Sequence, residues 1–352
     1  MARPHAFRPM QGDPALEALF LPFDEGLLAL PAGGAFLGAR DGAALRRWAG
    51  QGLVLEQDFR PLATALERAG FAQVDGEIAP PARHPVVLVL PPRQREQARA
   101  LLARAVQLAG GGGRVVAAAP NNAGARSMQD DLEALAGPVS VLSKHKCRVA
   151  WTAPLGAGVD EALRDAWIEL DAPRPILDGS VLSRPGLFAW DRVDPASALL
   201  ASHLPRDAAG RAADLGAGWG YLARELLARN PGIDALDAYE AQARALPVLR
   251  ANLAGFAPRV DLRLHWHDVA AGIHTGFDIV VSNPPFHAAD RIDRPELGRR
   301  FIEVAASALK PGGRLFMVAN RHLPYEATLA ANFRQVRMLA DAQGFKVFEA
   351  LL

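Results

Sequence analysis

Cysteine and lysine are both scarce in this chain. Its 352 residues include one cysteine, Cys147, which excludes an internal disulfide and any metal site built from cysteines. With no thiol framework pointing to an oxidising compartment, cytoplasmic residence is the expectation. Only four of the 39 basic residues are lysines (Lys144, Lys146, Lys310 and Lys346), and the net charge is +1, so no global basicity advertises nucleic acid. A nucleic-acid partner would have to be met by a local patch or a stacking pocket, and a GC-rich genome accounts for the arginine excess as readily as phosphate binding does. No apolar run approaches the roughly 18 residues of a membrane span, and no apolar signal core follows Met1-Ala2-Arg3-Pro4-His5. What is present is an ordinary soluble globular composition, 50% hydrophobic and 22% charged, long enough for two domains with separate cores.

Residues 1–25 are Pro-rich and weakly periodic, an extended lead-in or a partly helical cap. Strands are expected at 34–38, 53–55, 86–90 and 115–119, and helices at 43–48, 61–69 and 93–109. The Pro/Gly-rich stretch 153–174, with a modest helix over 160–170, is the candidate linker. Beyond it strands are expected at 211–215, 234–239, 260–266, 277–281 and 314–319, with helices at 221–229, 243–253 and 298–309. A hairpin of 336–340 and 344–351 closes the chain. Strands alternating with helices across short loops predict an α/β fold of two tandem Rossmann-like domains, 1–155 and 175–352, with mostly parallel, doubly wound sheets.

The two halves correspond position by position. Leu37-Gly38-Ala39-Arg40-Asp41-Gly42 matches Leu215-Gly216-Ala217-Gly218-Trp219-Gly220. Glu56, fourteen residues before Gly70-Phe71, mirrors Glu240, fifteen residues before Gly255-Phe256. Pro91-Pro92 after a strand mirrors Pro284-Pro285, and the glycines before Val115 mirror Gly312-Gly313 before Leu315. A duplicated domain is the economical reading, with chance similarity between two folds of one class as its alternative.

Residues able to carry chemistry fall on successive strand ends of the second half. Asp214-Leu215-Gly216-Ala217-Gly218-Trp219-Gly220 is spaced G-x-G-x-G behind an acid, unlike the G-x-G-x-x-G of dinucleotide folds. Its glycines permit a tight turn and close backbone approach. Asp214 would repel a pyrophosphate but not a cationic amino acid or sulfonium ligand. Glu240 ends the next strand, where a carboxylate accepts ribose hydroxyls, and Asp268 follows 260–266, placed to accept from an adenine amine. Ser282-Asn283-Pro284-Pro285-Phe286-His287 stops the strand 277–281. Two prolines have no N–H to extend a ladder, which leaves an Asn side chain, a donor-free backbone and the Phe286 ring to grip a planar amine. Asn-Pro is also a common turn signal. His287 either takes a released proton or is a turn histidine bonded locally.

These motifs resemble the class I S-adenosylmethionine-dependent methyltransferases that act on amino groups, and more closely the bacterial ribosomal RNA guanine-N2 methyltransferases of the RsmC/RlmG type. Carrying the resemblance are Asp214-Leu215-Gly216-x-Gly218-x-Gly220, Glu240, Asp268 and Ser282 to His287. Arg184-Pro185-Gly186-Leu187-Phe188 with Asp191-Arg192-Val193-Asp194, and Ala319-Asn320-Arg321-His322-Leu323-Pro324-Tyr325, belong to it too. It covers nearly the whole chain. It implies S-adenosylmethionine held by Asp214, Gly216, Ala217, Gly218, Gly220, Glu240, Ala241, Asp268, Val269 and Asn283, with no metal. It implies catalysis by Asn283, Pro284, Pro285 and Phe286 on ribosomal RNA, with 16S favoured over 23S. The RNA would be met free or within the assembled subunit, by a monomeric enzyme in the cytoplasm and away from any membrane. By the same resemblance 188–194 would lie over the cofactor as a lid, and the first domain would have lost cofactor binding and serve RNA binding or support. The residues agree with that loss: Phe36 stands where Asp214 would be, Arg40 and Asp41 replace Gly218 and Trp219, and Leu90 replaces Asn283.

Trp219 is bulky for a cofactor turn and is expected to pack outward. His322 and Tyr325 are candidates for a pocket rim or for packing. Three other functions compete. A protein-glutamine methyltransferase uses a similar Asn-Pro-Pro turn, because an amide nitrogen poses the same electronic problem. A non-catalytic RNA-binding assembly module predicts no cofactor binding, and a nicotinamide dehydrogenase is disfavoured by the glycine spacing.

Overall fold

The computed structural model describes residues 12–285 and 295–352, and the chain divides into two compact units, Met1–Ala172 and Pro173–Leu352. In the first unit α1 (Pro14–Asp24) precedes β1 (Ala35–Leu37), α2 (Ala43–Arg47), β2 (Val54–Glu56), α3 (Arg60–Arg68) and β3 (Val86–Val89). Then come α4 (Arg95–Ala109), β4 (Arg114–Pro120), α5 (Ala125–Ala136), β5 (Val139–Lys144), β6 (Cys147–Thr152) and α6 (Glu161–Ile168). The strands form one sheet in the order β2-β1-β3-β4-β6-β5. β2, β1, β3 and β4 pair in parallel, whereas β6 and β5 run antiparallel at the edge.

Of the two alternatives for the Pro-rich lead-in, the helical one holds over Pro14–Asp24. Pro14 occupies the first helical turn, where a missing N–H costs nothing, and Asp13 caps the end by accepting from the Ala15 and Leu16 amides at 3.0 and 3.2 Å. Leu16, Leu19, Phe20 and Phe23 bury its inner face against β1, β3, β4 and β6. The stretch expected to link the units also packs instead. α6 sits on the opposite face of the sheet, with Trp167 buried among α4 and α5 residues such as Leu102 and Leu132.

The second unit opens with a small hairpin of β7 (Arg174–Ile176) and β8 (Val181–Ser183), then α7 (Pro195–Ser202). It continues with β9 (Ala209–Leu215), α8 (Tyr221–Arg229), β10 (Gly232–Glu240), α9 (Leu246–Leu253), β11 (Asp261–Trp266) and β12 (Phe277–Ser282). α10 (Pro295–Ala308), β13 (Leu309–Asn320), α11 (Glu326–Asn332), β14 (Gln335–Ala342) and β15 (Phe345–Leu351) complete it. Its sheet runs β11-β10-β9-β12-β13-β15-β14, parallel from β11 to β13 and antiparallel through the closing hairpin. Leu200, Leu222, Leu226 and Leu249 fill one face and Phe301, Ile302 and Leu329 the other, so the sheet is doubly wound. Residues 310–313, between the helix and strand expected at 298–309 and 314–319, lie inside β13 as a bulge, since Phe277 pairs with Leu309 but Ile279 with Arg314.

The two sheets share one strand order. β2-β1-β3-β4-β6-β5 reads onto β10-β9-β12-β13-β15-β14, and an isolated parallel bridge between Leu55 and Gln73 stands where β11 would flank β10. Because β9 connects outward through β10 and β11 before the chain crosses back to β12, the topology reverses between β9 and β12. The carboxyl ends of strands at such a reversal form the crevice where open α/β sheets take ligands.

Candidate functional site

β9 delivers Asp214 into the sheet interior, fully buried. Its Oδ2 accepts from the Ala223 amide at 3.1 Å, in the first turn of α8, while Oδ1 is buried with no hydrogen-bond partner among the described residues. Burial pushes the Asp214 carboxyl up to about 7, with the Ala223 bond opposing and the Glu240 charge adding to the rise. After Leu215 the chain turns through Gly216, Gly218 and Gly220 at φ of +81°, +54° and +96°, a region that disfavours any Cβ. Space then separates their roles. A Cβ on Gly216 or Gly218 would meet nothing closer than 3.8 Å, whereas one on Gly220 would strike Leu249 Cδ1 at 2.7 Å. The first two glycines leave an open face and the third lets α8 seat against α9.

The loop's amides point into the fold. Gly216 and Ala217 donate to the Tyr239 carbonyl at 2.9 and 3.1 Å, and Gly218 donates to Glu240 Oε2 at 2.8 Å. The loop therefore does not offer these amides to a pyrophosphate, in keeping with its non-dinucleotide spacing. Glu240, closing β10, also accepts from the Gln242 amide at 2.8 Å through Oε1. Burial raises its pKa although these amide bonds pull it down. Ala241 contributes its carbonyl to the Trp266 indole at 2.8 Å. Past β11, Asp268 caps a short turn by accepting from the Ala270 amide at 2.9 Å, and the Val269 side chain is core, packed with Tyr239.

β12 lies beside β9, and the Ser282 hydroxyl donates to the Leu215 carbonyl at 2.8 Å, tying the Asn-Pro-Pro turn to the glycine loop. Pro284 is buried and Pro285 exposed. Asn283 donates through Nδ2 to Asp194 Oδ2 at 3.0 Å and to Ser197 Oγ at 2.8 Å, and its Oδ1 is buried without a partner among the described residues. Asp214, the glycine loop, Glu240, Asp268 and Asn283 are thus gathered at the ends of neighbouring strands. Phe286 and His287 lie outside the described residues.

Trp219 is buried: its indole donates to the Ala189 carbonyl at 3.4 Å, and the ring packs with Leu187 and edge-on to Tyr221. Of the segment 188–194, Phe188 is exposed while Asp194 reaches the Asn283 amide. Tyr325 is fully buried with its ring against Gly298 of α10, and His322 is exposed. In the sequence reading Asp194 was only the end of the segment expected to lie over the cofactor, and Ser197 had no site role. Their one local signal is Asp-Pro-x-Ser, a helix start. Among the described residues, Asp237, His265 and His274 bring one potential metal-ligand atom each within 4.8 Å. Arg211 and His265 already hold the Asp237 carboxylate at 2.8 Å, a network at the β10–β11 edge.

The corresponding positions of the first unit are filled by its own side chains. Phe36 is buried in the core edge-on to Phe20, and a Cβ on Gly38 would meet the Leu90 carbonyl at 2.8 Å. Arg40 pairs with Asp13 at 2.9 Å. Glu56 accepts from the Ile78 amide at 2.7 Å and is ion-paired with Arg104.

The family model of the methyltransferase small domain matches residues 178–349. The ribosomal RNA small subunit methyltransferase C of Yersinia enterocolitica is 30% identical over 264 residues, 74% of this chain and 72% of the relative. That coverage decides the family. The chain belongs to the ribosomal RNA small subunit methyltransferase C family. The relative of that name from Shewanella loihica is 35% identical across a shorter match, 46% of each chain. A solved T. thermophilus 16S rRNA N2 methyltransferase (RsmC), in complex with AdoMet and guanosine, is 25% identical with a TM-score of 0.78 over 99% of this chain and 93% of that one. The fold is that of a class I methyltransferase, and the family's cofactor is S-adenosylmethionine. The residues present fit that group: an orphaned buried carboxylate oxygen for a cation, an open glycine face, and an acid closing β10. Among the described residues no helix is long and apolar enough to cross a membrane.

Proposed function

We propose that the second unit transfers a methyl group from S-adenosylmethionine to the exocyclic N2 amine of a guanine in ribosomal RNA, 16S in preference to 23S. The names of the relatives and of the solved structure support that substrate. One observation in this chain carries the reading: Asn283 has both amide hydrogens engaged and a buried carbonyl oxygen left over. Guanine's exocyclic nitrogen is a weak nucleophile because its lone pair is delocalised into the ring. Accepting its two hydrogens at Asn283 Oδ1 and the Pro284 carbonyl localises that lone pair and aims it, which is orientation plus stabilisation of developing positive charge. The bound cofactor supplies a methyl already activated on a sulfonium, so the transfer needs no metal. Asp214 and Glu240 hold its cationic and ribose ends, the glycine loop gives it room, and Phe286 stacks on the unstacked base.

In the same reading the first unit, Met1–Ala172, binds no cofactor and supports the RNA or the catalytic unit. The residues filling its counterpart positions favour this. The enzyme works as a monomer in the cytoplasm, on RNA that is free or within a subunit. The test is incubation with labelled S-adenosylmethionine and unmethylated ribosomal subunits, followed by nucleoside analysis. N2-methylguanosine is expected, and label on protein with none on RNA would overturn the proposal.

A further inference from the structure

The Asn283 amide can face two ways, and only one suits an amine. With Oδ1 toward the substrate the site accepts. Flipped, it presents an NH2 group to an N–H and loses both function and partner. What decides between the two lies 89 residues earlier in the chain, in α7. Asp194 caps that helix, its Oδ2 accepting from the Ser197 amide at 2.8 Å, and the same oxygen accepts Asn283 Nδ2 at 3.0 Å. Ser197 Oγ takes the second amide hydrogen at 2.8 Å. Both Nδ2 hydrogens are therefore committed, and a flipped amide would set its carbonyl against a carboxylate, acceptor against acceptor. Asp194 is itself held by the helix start: Pro195 fills the first helical position, and Ala196, Leu200 and Ala201 of α7 are buried in the core.

We propose that Asp194, with Ser197, is the positioning residue of the transfer: it locks the Asn283 amide so that Oδ1 alone faces the reacting amine. The proposal rests on the function argued above and assigns Asp194 a role exerted through Asn283.

Three variants test it in the full chain. Asp194→Ser keeps a helix cap but is too short to reach Asn283, Ser197→Ala removes one of the two acceptors, and Asp194→Asn retains an oxygen that can accept from both amides. Expected are a fall in kcat of about ten- to hundred-fold for Asp194→Ser, a smaller fall for Ser197→Ala, and recovery of most of the rate in Asp194→Asn. Affinity for S-adenosylhomocysteine and the melting temperature should stay near those of the parent. Three outcomes would overturn the assignment. One is an unchanged kcat in Asp194→Ser. Another is an Asp194→Asn as slow as Asp194→Ser, which would make the charge itself the agent. The third is a joint collapse of kcat, cofactor affinity and melting temperature, which would make the contact structural. A parent enzyme that forms no N2-methylguanosine fails the functional reading instead, and the two failures are told apart by that control.

Discussion

Arg104 is ion-paired with Glu56 at the end of β2, the strand that matches β10, whose last residue Glu240 holds the glycine loop. One copy of the duplicated domain turns this carboxylate toward its own arginine and the other toward a loop with an open face. The chain is therefore expected to bind one S-adenosylmethionine, not two, which titration calorimetry measures directly. Glu56→Ala should leave that affinity unchanged while lowering stability by about 1–3 kcal/mol, because it takes the nearer of two carboxylates from Arg104, which keeps Glu77 at 3.5 Å, and leaves the Ile78 amide without its acceptor. A stoichiometry of two, or a cofactor affinity that falls with Glu56, would contradict this.

Asn283→Ala removes the buried acceptor and leaves the loop, Asp214 and Glu240 in place. The expected result is loss of about 10²–10³ in kcat, the range seen when one preorganised polar group is taken from a transition state. Cofactor affinity should change little. Single-turnover rates and equilibrium binding separate the two. Parallel loss of both would mean that the turn is structural.

Much of this arrangement was legible in the sequence, and the exceptions have physical causes. Apolar runs punctuated by Gly and Pro located β9, β10, β12 and the turns after them, and α8 lies where its apolar spacing put it. α1 was legible only as one of two alternatives, because Pro14 and Pro22 read as breakers although one sits at a helix start and the other in the last turn. β5 went unseen because its residues are partly or wholly exposed and lack a buried alternation. α7 escaped because Pro-Ala-Ser-Ala-Leu-Leu-Ala-Ser is small and apolar nearly all round, with no polar face to set a period. The Asp194–Asn283 contact has no local signature: only the sheet topology brings those residues together.

Glu240 closes β10 with its two oxygens on the Gly218 and Gln242 amides. Glu240→Gln substitutes an NH2 group for one acceptor, so a donor meets one of those amides and the loop loses an anchor. A cost of about 1–3 kcal/mol is expected for a buried group left unsatisfied, read as about ten- to hundred-fold weaker binding of S-adenosylmethionine. With saturating cofactor, kcat should recover to within a few-fold. Unchanged affinity would remove Glu240 from the cofactor site.

Asp214 gives a prediction in pH. Its carboxyl is raised by burial to about 7 in the folded protein, against about 3.9 for an ordinary Asp. The folded state therefore binds a proton that the unfolded chain has released, and this group's contribution to stability is full below about pH 4 and lost as pH rises to about 7. Ligand binding runs the opposite way. A cation is attracted only by the ionised form, so below about pH 7 each binding event must also expel a proton, and affinity for S-adenosylmethionine should fall about tenfold per pH unit on acidification. Above about pH 8 the ligand's own α-amino group loses its charge, and affinity should decline again. Calorimetry from pH 5.5 to about 9 at fixed ionic strength should trace this bell. Asp214→Asn should bind more weakly and flatten the bell on both sides, since each limb reports the attraction between this carboxylate and the ligand's ammonium. An acid limb that persists in Asp214→Asn would assign the titration to another group and place Asp214 outside the cation's reach.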